Sequence, residues 1–212
     1  MNSYDMISVL STNSDLLKGN MMSEIIRRRR SIYADDYLKK SISSDLILEI
    51  LTNASWAPTH KMTEPWRFVV LQGKQLINYG KFMADYYLHI YSKTAPNQVA
   101  LAEKLRYLRN YPLSASCIIA IILNRSASIT IPEWEEVAAV SCAVQNMALT
   151  CTAYDLGSYW ATNGPAIEFV KSLGLLENEQ SLGLFFIGHY DAGTYDIEKK
   201  RTPIEQKTTW LN

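Results

Sequence analysis

The stretch PEWEEVAAVSCAVQNMALTCTAYDLG, residues 132–157, carries the longest helical pattern in the chain. Proline is tolerated in the first turn of a helix, where its missing N–H would have no partner anyway. Val137, Val140, Val144, Met147, Ala148 and Cys151 then recur at helical spacing up to a stop at Gly157. The spacing predicts one long helix, a spine for the fold. Just upstream, Ser116 to Leu123 is a continuous apolar run between polar turns, which suits a strand buried on both faces. Before it, Lys74–Ser92 and Asn97–Arg109 read as two helices covering the core, and Trp66–Gln72 as a strand ending at Gly73. Ser43 or Ser44 caps a helix in which Leu46, Ile47, Ile50, Leu51 and Ala54 share a face until Pro58 forces a break. Met22–Arg30 reads as a helix whose basic end suits the carbonyl end of its dipole. On the other side of the spine follow a short strand at Ser158–Thr162, a helix at Pro165–Leu173 and a strand at Leu182–Tyr190. Helices alternate with strands, so the expected class is α+β, with helices packed on a small sheet in one domain over residues 22–212. Residues 1–21 read as an extension outside that domain and receive no function.

Composition removes several classes of function. The chain has 212 residues, 48% hydrophobic and 20% charged, which fits a folded globular protein. Lys plus Arg equals Asp plus Glu at 21 each, so no global positive field favours nucleic acid as a partner. The longest apolar run, CIIAIIL at 117–123, is far shorter than the ~20 residues of a spanning helix, and no membrane partner is expected. The first residues lack a basic start, an apolar block and a small-residue cleavage site, so a cytoplasmic protein is expected. Cys117, Cys142 and Cys151 form no C-x-x-C pair, which argues against a disulfide framework or zinc cluster and for buried thiols. His60, His89 and His189 have no metal-ligand spacing, and neither a G-x-S-x-G nor a P-loop pattern occurs. No metal site and no catalytic acid, base or nucleophile is assigned.

Four segments carry chemistry that the composition leaves open. RRRRS, residues 27–31, sets guanidinium groups beside a hydroxyl, a combination suited to a phosphate, although four arginines at a helix end also read as a solvated charge run. WAPTHKMTEPWRF, residues 56–68, is a rigid loop whose Thr59, His60 and backbone amides could bond the edge of a flat heteroaromatic ring. Its tryptophans offer stacking or packing surface; the structural reading makes Trp66 core and His60 a tie to its neighbour. GSYWATNGP, residues 157–165, opens a strand onto a helix start, where free amides favour an electron-rich group. By itself it also reads as an ordinary strand-to-helix connection, the commoner case. KKRTPIEQKTTW, residues 199–210, puts basic residues beyond the last strand, either to reach a phosphate or to keep a tail soluble.

In order along the chain, RRSIY (29–33), WAPTHKMTEPWRF, CAVQNMAL (142–149), LGSYWATNG (156–164) and KKRTPIEQKTTW resemble the nitroreductase superfamily from about Met22 onward. The loop is most similar to the short branch that reads A-P-x-H-K-x-x-x-P-W-R-F. The resemblance implies a three-layer α-β-α sandwich with a small, mostly antiparallel sheet and a long central helix, in an intertwined homodimer with FMN at the subunit interface. By position, Arg29, Arg30 and Ser31 match the residues on the phosphate and ribityl end, and Arg201 matches a late basic residue facing the phosphate. Trp56 and His60, with Pro58 and Thr59 in the same loop, match positions that reach the flavin from the partner. Trp160, Ala161 and Thr162 match the stretch along the isoalloxazine. The implied activity is ping-pong transfer from NADH or NADPH through FMN to a small acceptor such as a nitroaromatic or quinone. A specialised flavoenzyme of the same fold (dehydrogenase, dehalogenase or flavin-modifying) and a flavin-holding protein without turnover are the alternatives. Two departures bear on substrate choice: Trp56 stands where the family often has an arginine or another polar residue, and WATNG stands where it often has W-x-T-G, which leaves the register around Asn163 and Gly164 open.

Overall fold

A computed structural model describes residues 17–128, 130–194 and 200–211. In chain order these form α1 (17–28), β1 (Tyr37–Leu38), α2 (Ser44–Ser55), β2 (Trp66–Leu71), α3 (Lys74–Thr94) and α4 (Gln98–Asn110). There follow β3 (Cys117–Asn124), α5 (Glu133–Ala153), β4 (Leu156–Ala161), α6 (Gly164–Lys171) and β5 (Glu179–Tyr190). Of the expected N-terminal extension, residues 1–16 lie outside the described residues, and 17–21 already belong to α1.

The sheet has five strands, ordered β1-β5-β3-β2, with β4 also paired to β5. Every named pairing is antiparallel, including Cys117↔Ile187 between β3 and β5 and Trp66↔Leu123 between β2 and β3. β3 explains why there are layers on both sides. Its successive side chains point to opposite faces, and Cys117 through Leu123 are all 0% exposed. Ile118, Ala120 and Ile122 join Tyr79, Met83, Phe169, Val170 and Phe186 in one core, under α3 and α6. Cys117, Ile119, Ile121 and Leu123 join Ile47, Ile50, Val140, Val144 and Met147 in the other, under α2 and α5. Each isoleucine so buried contributes about 1.5–3 kcal/mol, so this short strand ties both helical layers to one sheet. The result is the expected α+β sandwich of helix, sheet and helix around a long central helix.

The spine ends earlier than its pattern suggests. α5 stops at Ala153, and the left-handed turn expected of Gly157 is made instead by Asp155 at φ 52°. Aspartate is among the few residues that visit this region readily. Here it is also held by Arg28, whose guanidinium bonds its carboxylate and the Thr152 carbonyl at 2.9 Å. Gly157 is a strand residue with a different task. A Cβ there would lie 2.9 Å from the Tyr37 ring, and one on its cross-strand partner Gly188 only 2.3 Å from it. The glycine pair forms a flat seat on which Tyr37 lies buried.

The cysteine expectation needs one correction. Cys117 and Cys151 are buried, but Cys142 is exposed, because it falls on the face of α5 turned away from the sheet. Burial pushes the Cys117 thiol up to about 12 and raises that of Cys151 as well. Among the described residues, no helix is long and apolar enough to cross a membrane and no group of three or more metal-ligating side chains converges.

Candidate cofactor site

The Arg-Arg-Ser segment leaves the helix just where it must. α1 ends at residue 28, the Arg29 N–H makes its last helical bond to the Ile25 carbonyl at 2.9 Å, and two residues later Ser31 has reached the sheet. Ser31 bridges to Ser158 in parallel, and the Ile32 N–H donates to the Ser158 carbonyl at 3.1 Å. From below, the buried Tyr37 hydroxyl donates to the Ile32 carbonyl at 2.9 Å, so the glycine seat on β4 and β5 also fixes this segment. The four arginines then divide. Arg28 is bound into the end of α5, while Arg27 and Arg29 line a cleft of about 680 Å³ with Ile26, Gln145 and Arg201. Arg30 is half-buried and Ser31 exposed, and neither lines that cleft.

Arg29 and Arg201 thus meet from opposite ends of the chain, and no carboxylate among the described residues lines the cleft with them. Guanidinium groups gathered around one opening suit a dianionic phosphate, which accepts paired charge-assisted hydrogen bonds from them. Arg27 and Gln145 were not singled out by the sequence. Gln145 had a signal, a polar residue on the outer face of the spine; Arg27 had none beyond its place in the basic run.

The loop after α2 forms a second group. Trp56 caps α2 and is 81% exposed. Pro58 is exposed and Thr59 half-buried. Thr59 Oγ1 accepts from the Glu64 N–H at 3.0 Å and lies 3.1 Å from Thr63 Oγ1, which ties the turn from inside. Within it Lys61, Met62 and Glu64 have φ of 52°, 53° and 43°. Each such non-glycine residue costs about 1–2 kcal/mol. His60 Nδ1 bonds the Glu135 carboxylate in the first turn of α5. Trp66 packs against the core under α2 and α5, as the structural reading of that residue required.

The third group is the end of β4. Trp160 packs against the same core and spends its indole N–H on the Leu182 carbonyl at 2.8 Å, so its side chain is structural and its backbone carries the strand forward. Ala161 is half-buried, whereas Thr162, Asn163 and Gly164 are exposed at the start of α6. The Asn163 side chain caps that helix, accepting from the Ala166 N–H at 3.2 Å. The Tyr86 hydroxyl of α3 stands over this turn, 2.3 Å from where a Gly164 Cβ would be.

Within one chain the arginine cleft and the His60 turn stay apart. They sit on α5 at Gln145 and Glu135, ten residues or about 15 Å along its axis. A good deal of apolar surface is left uncovered between and around them. Trp134 and Met62 are 70% and 75% exposed, and α1 leaves Leu17, Met21, Met22 and Ile26 exposed. A groove of about 460 Å³ runs between α1, α2 and α5, lined by Met22, Ile25, Leu149 and Tyr154 among others.

Comparison with known proteins agrees with this architecture. A family model described as the nitroreductase family matches residues 26–189. YfhC of Bacillus subtilis, provisionally named an NAD(P)H nitroreductase, is 26% identical over 193 residues, covering 90% of this chain and 94% of its own length. A nitroreductase-like family protein from Bacillus cereus superposes with a TM-score of 0.71 at 26% identity, over 90% of this chain and 95% of that one. A structure from Desulfovibrio desulfuricans, described as a provisional nitroreductase in complex with FMN, superposes at 0.66 and 22% identity, over 90% and 96% of the two chains.

Proposed function

This chain belongs to the nitroreductase family, and from that premise we propose that it is an FMN-dependent oxidoreductase that passes electrons from NADH or NADPH to small acceptors such as nitroaromatics or quinones. The observation that carries the reading is the cleft in which Arg29 and Arg201 meet, lined also by Arg27 and Gln145. Its charge and size fit the phosphate end of a flavin nucleotide. Names given to similar proteins point the same way, to NAD(P)H for YfhC and to FMN for the Desulfovibrio structure.

In this reading Arg29, Arg30, Ser31 and Arg201 hold the phosphate and ribityl end, and the backbone of Trp160, Ala161 and Thr162 runs beside the ring. Trp56, Pro58, Thr59 and His60 reach the ring from the partner subunit of a homodimer. One feature supports pairing: the surface around α5 carries exposed apolar groups, among them Trp134, Met62 and the α1 residues Met21, Met22 and Ile26. Bound FMN would supply a ring that takes up and releases hydride, which explains why no nucleophile stands out among the side chains. Donor and acceptor would then occupy one open face in turn, a ping-pong order.

The test is an absorption spectrum of the purified protein followed by anaerobic addition of NADPH or NADH. The expected protein is yellow, is stabilised against heat by FMN, elutes as a dimer, bleaches with nicotinamide and recovers its colour with a quinone. A colourless protein that FMN does not stabilise refutes the proposal. A yellow protein that no nicotinamide bleaches keeps the cofactor and removes the activity.

A further inference from the structure

The turn after α2 holds three non-glycine residues, Lys61, Met62 and Glu64, in the left-handed region within four positions. Backbone strain of this kind persists where the surroundings over-determine it, and it concentrates at functional sites. Two sets of contacts do so here. Thr59 and Thr63 fix the turn internally, and Glu135, reaching from α5, fixes the imidazole of His60 at Nδ1. The carboxylate is mostly covered, with 24% of its side chain exposed, whereas the imidazole keeps 49% exposed. No described residue hydrogen bonds its other nitrogen, Nε2. The large apolar groups near this spot in sequence, Trp56, Met62 and Trp134, are all exposed.

A carboxylate on Nδ1 selects one tautomer of a histidine and orients the ring, leaving Nε2 to move a proton. We infer that His60 and Glu135 form a proton-delivering pair for the acceptor half of the reaction, with His60 donating from Nε2 and Glu135 as its positioning residue. The inference rests on the flavin reading above. Its chemistry follows from the acceptor. A quinone that gains a hydride has received two electrons and one proton, and it is left with an anionic oxygen. One more proton completes the hydroquinone. The Nε2–H bond of the imidazolium breaks, an O–H bond forms on that oxygen, and the electron pair returns to the ring. The neutral imidazole keeps its remaining proton on Nδ1, against Glu135, and water restores the other. An acceptor that takes single electrons and no proton, such as ferricyanide, has no use for the pair.

Two measurements test this on the full-length protein. In nitrogen-15 spectra without FMN, neutral His60 is expected as the Nδ1–H tautomer, and Glu135→Leu should convert it to Nε2–H. In rapid mixing of the reduced, FMN-loaded protein, Glu135→Leu should slow reoxidation by a quinone about 10-fold and His60→Ala about 100-fold. Reoxidation by ferricyanide should slow at least several-fold less in both. Glu135→Gln keeps an oxygen to accept from Nδ1–H and should recover the tautomer and part of the rate. An unchanged tautomer in Glu135→Leu, equal slowing with both oxidants, or no slowing with the quinone would each overturn the inference. A protein that binds no FMN fails earlier, by its colourless spectrum, and removes the parent reading as well; with FMN bound, the other failures strike the pair alone.

Discussion

Replacing the arginines of the basic run one at a time separates binding from folding, because neighbouring side chains have different partners. Arg29 and Arg201 face one cleft that no carboxylate among the described residues lines, so each should give the phosphate one or two charge-assisted hydrogen bonds. Loss of such bonds costs about 1–3 kcal/mol, which is roughly 5- to 150-fold in the FMN dissociation constant. Arg28 instead bonds the Thr152 carbonyl and the Asp155 carboxylate, with 45% and 72% of the two charged side chains exposed. An exposed pair is worth at most about 1 kcal/mol and the carbonyl bond about 1 kcal/mol more. For a domain of this size that is a fall of roughly 4–8 °C in melting temperature. Fluorescence titration of FMN and thermal melts of Arg28→Ala, Arg29→Ala and Arg201→Ala therefore have opposite expected patterns. Arg29→Ala and Arg201→Ala lose affinity and keep their apo melting temperature, and Arg28→Ala does the reverse. Because both cleft arginines address one phosphate, the double variant should lose less than the two single losses added together. Equal loss of affinity in all three would mean the run acts only as a diffuse charge, and retention within twofold in Arg29→Ala and Arg201→Ala would remove the phosphate site.

Other changes test the framework behind the site. Tyr37→Phe removes the buried hydroxyl that holds the Ile32 carbonyl at 2.9 Å and should cost about 1–1.5 kcal/mol by denaturant unfolding, with a smaller loss of FMN affinity. Gly188→Ala drives a methyl to 2.3 Å from the Tyr37 ring, and the strain should cost at least 1–3 kcal/mol; an unaltered midpoint would mean the ring is not seated there. The hydrogen bond from Arg67, then the Leu176 N–H, hold the Glu179 carboxylate below its ordinary range. Its contribution is complete above the ordinary carboxylate value, about 4.3, and is lost as pH falls through the lowered folded value, so Arg67→Ala should narrow the stability gap between pH 7 and pH 3. Burial raises the Cys117 and Cys151 thiols, and both should resist iodoacetamide at pH 8 until denaturant is added.

Sequence pattern was sufficient for elements whose burial is periodic. β3 and α5 are legible because one is apolar at every position from Cys117 to Leu123 and the other at every third or fourth, and packing on both faces of the sheet forces those periods. Ends were less legible. Where α5 stops depends on Arg28 reaching Asp155 across the fold, a contact that no local propensity encodes. The glycine that looked like a helix stop was needed elsewhere, because Gly157 makes room for Tyr37. β1, two residues long, offers no period at all and exists because β5 is long enough to pair it at His189 and Tyr190.

The site divides along the same line. A run of arginines states that charge is present but not where it is directed, and direction came from α1 ending at residue 28 and from Ile32 bonding β4. Arg28 meets the end of α5 while its neighbours on either side line the cleft. His60 had a motif behind it, whereas Glu135 was one of three acids in a helix's first turn, where favourable interaction with the dipole is sufficient explanation. Only the fold distinguishes them. Glu136 is buried against Arg125 at 2.8 Å and Glu133 bonds the same arginine at 3.2 Å, so both are committed to the 125–136 turn. Glu135, on a different side of that helix, meets the imidazole. An acid added for helix stability alone would have no reason to meet a strained turn 75 residues away. That convergence makes Glu135 the residue whose substitution most sharply separates a structural tie from a chemical one.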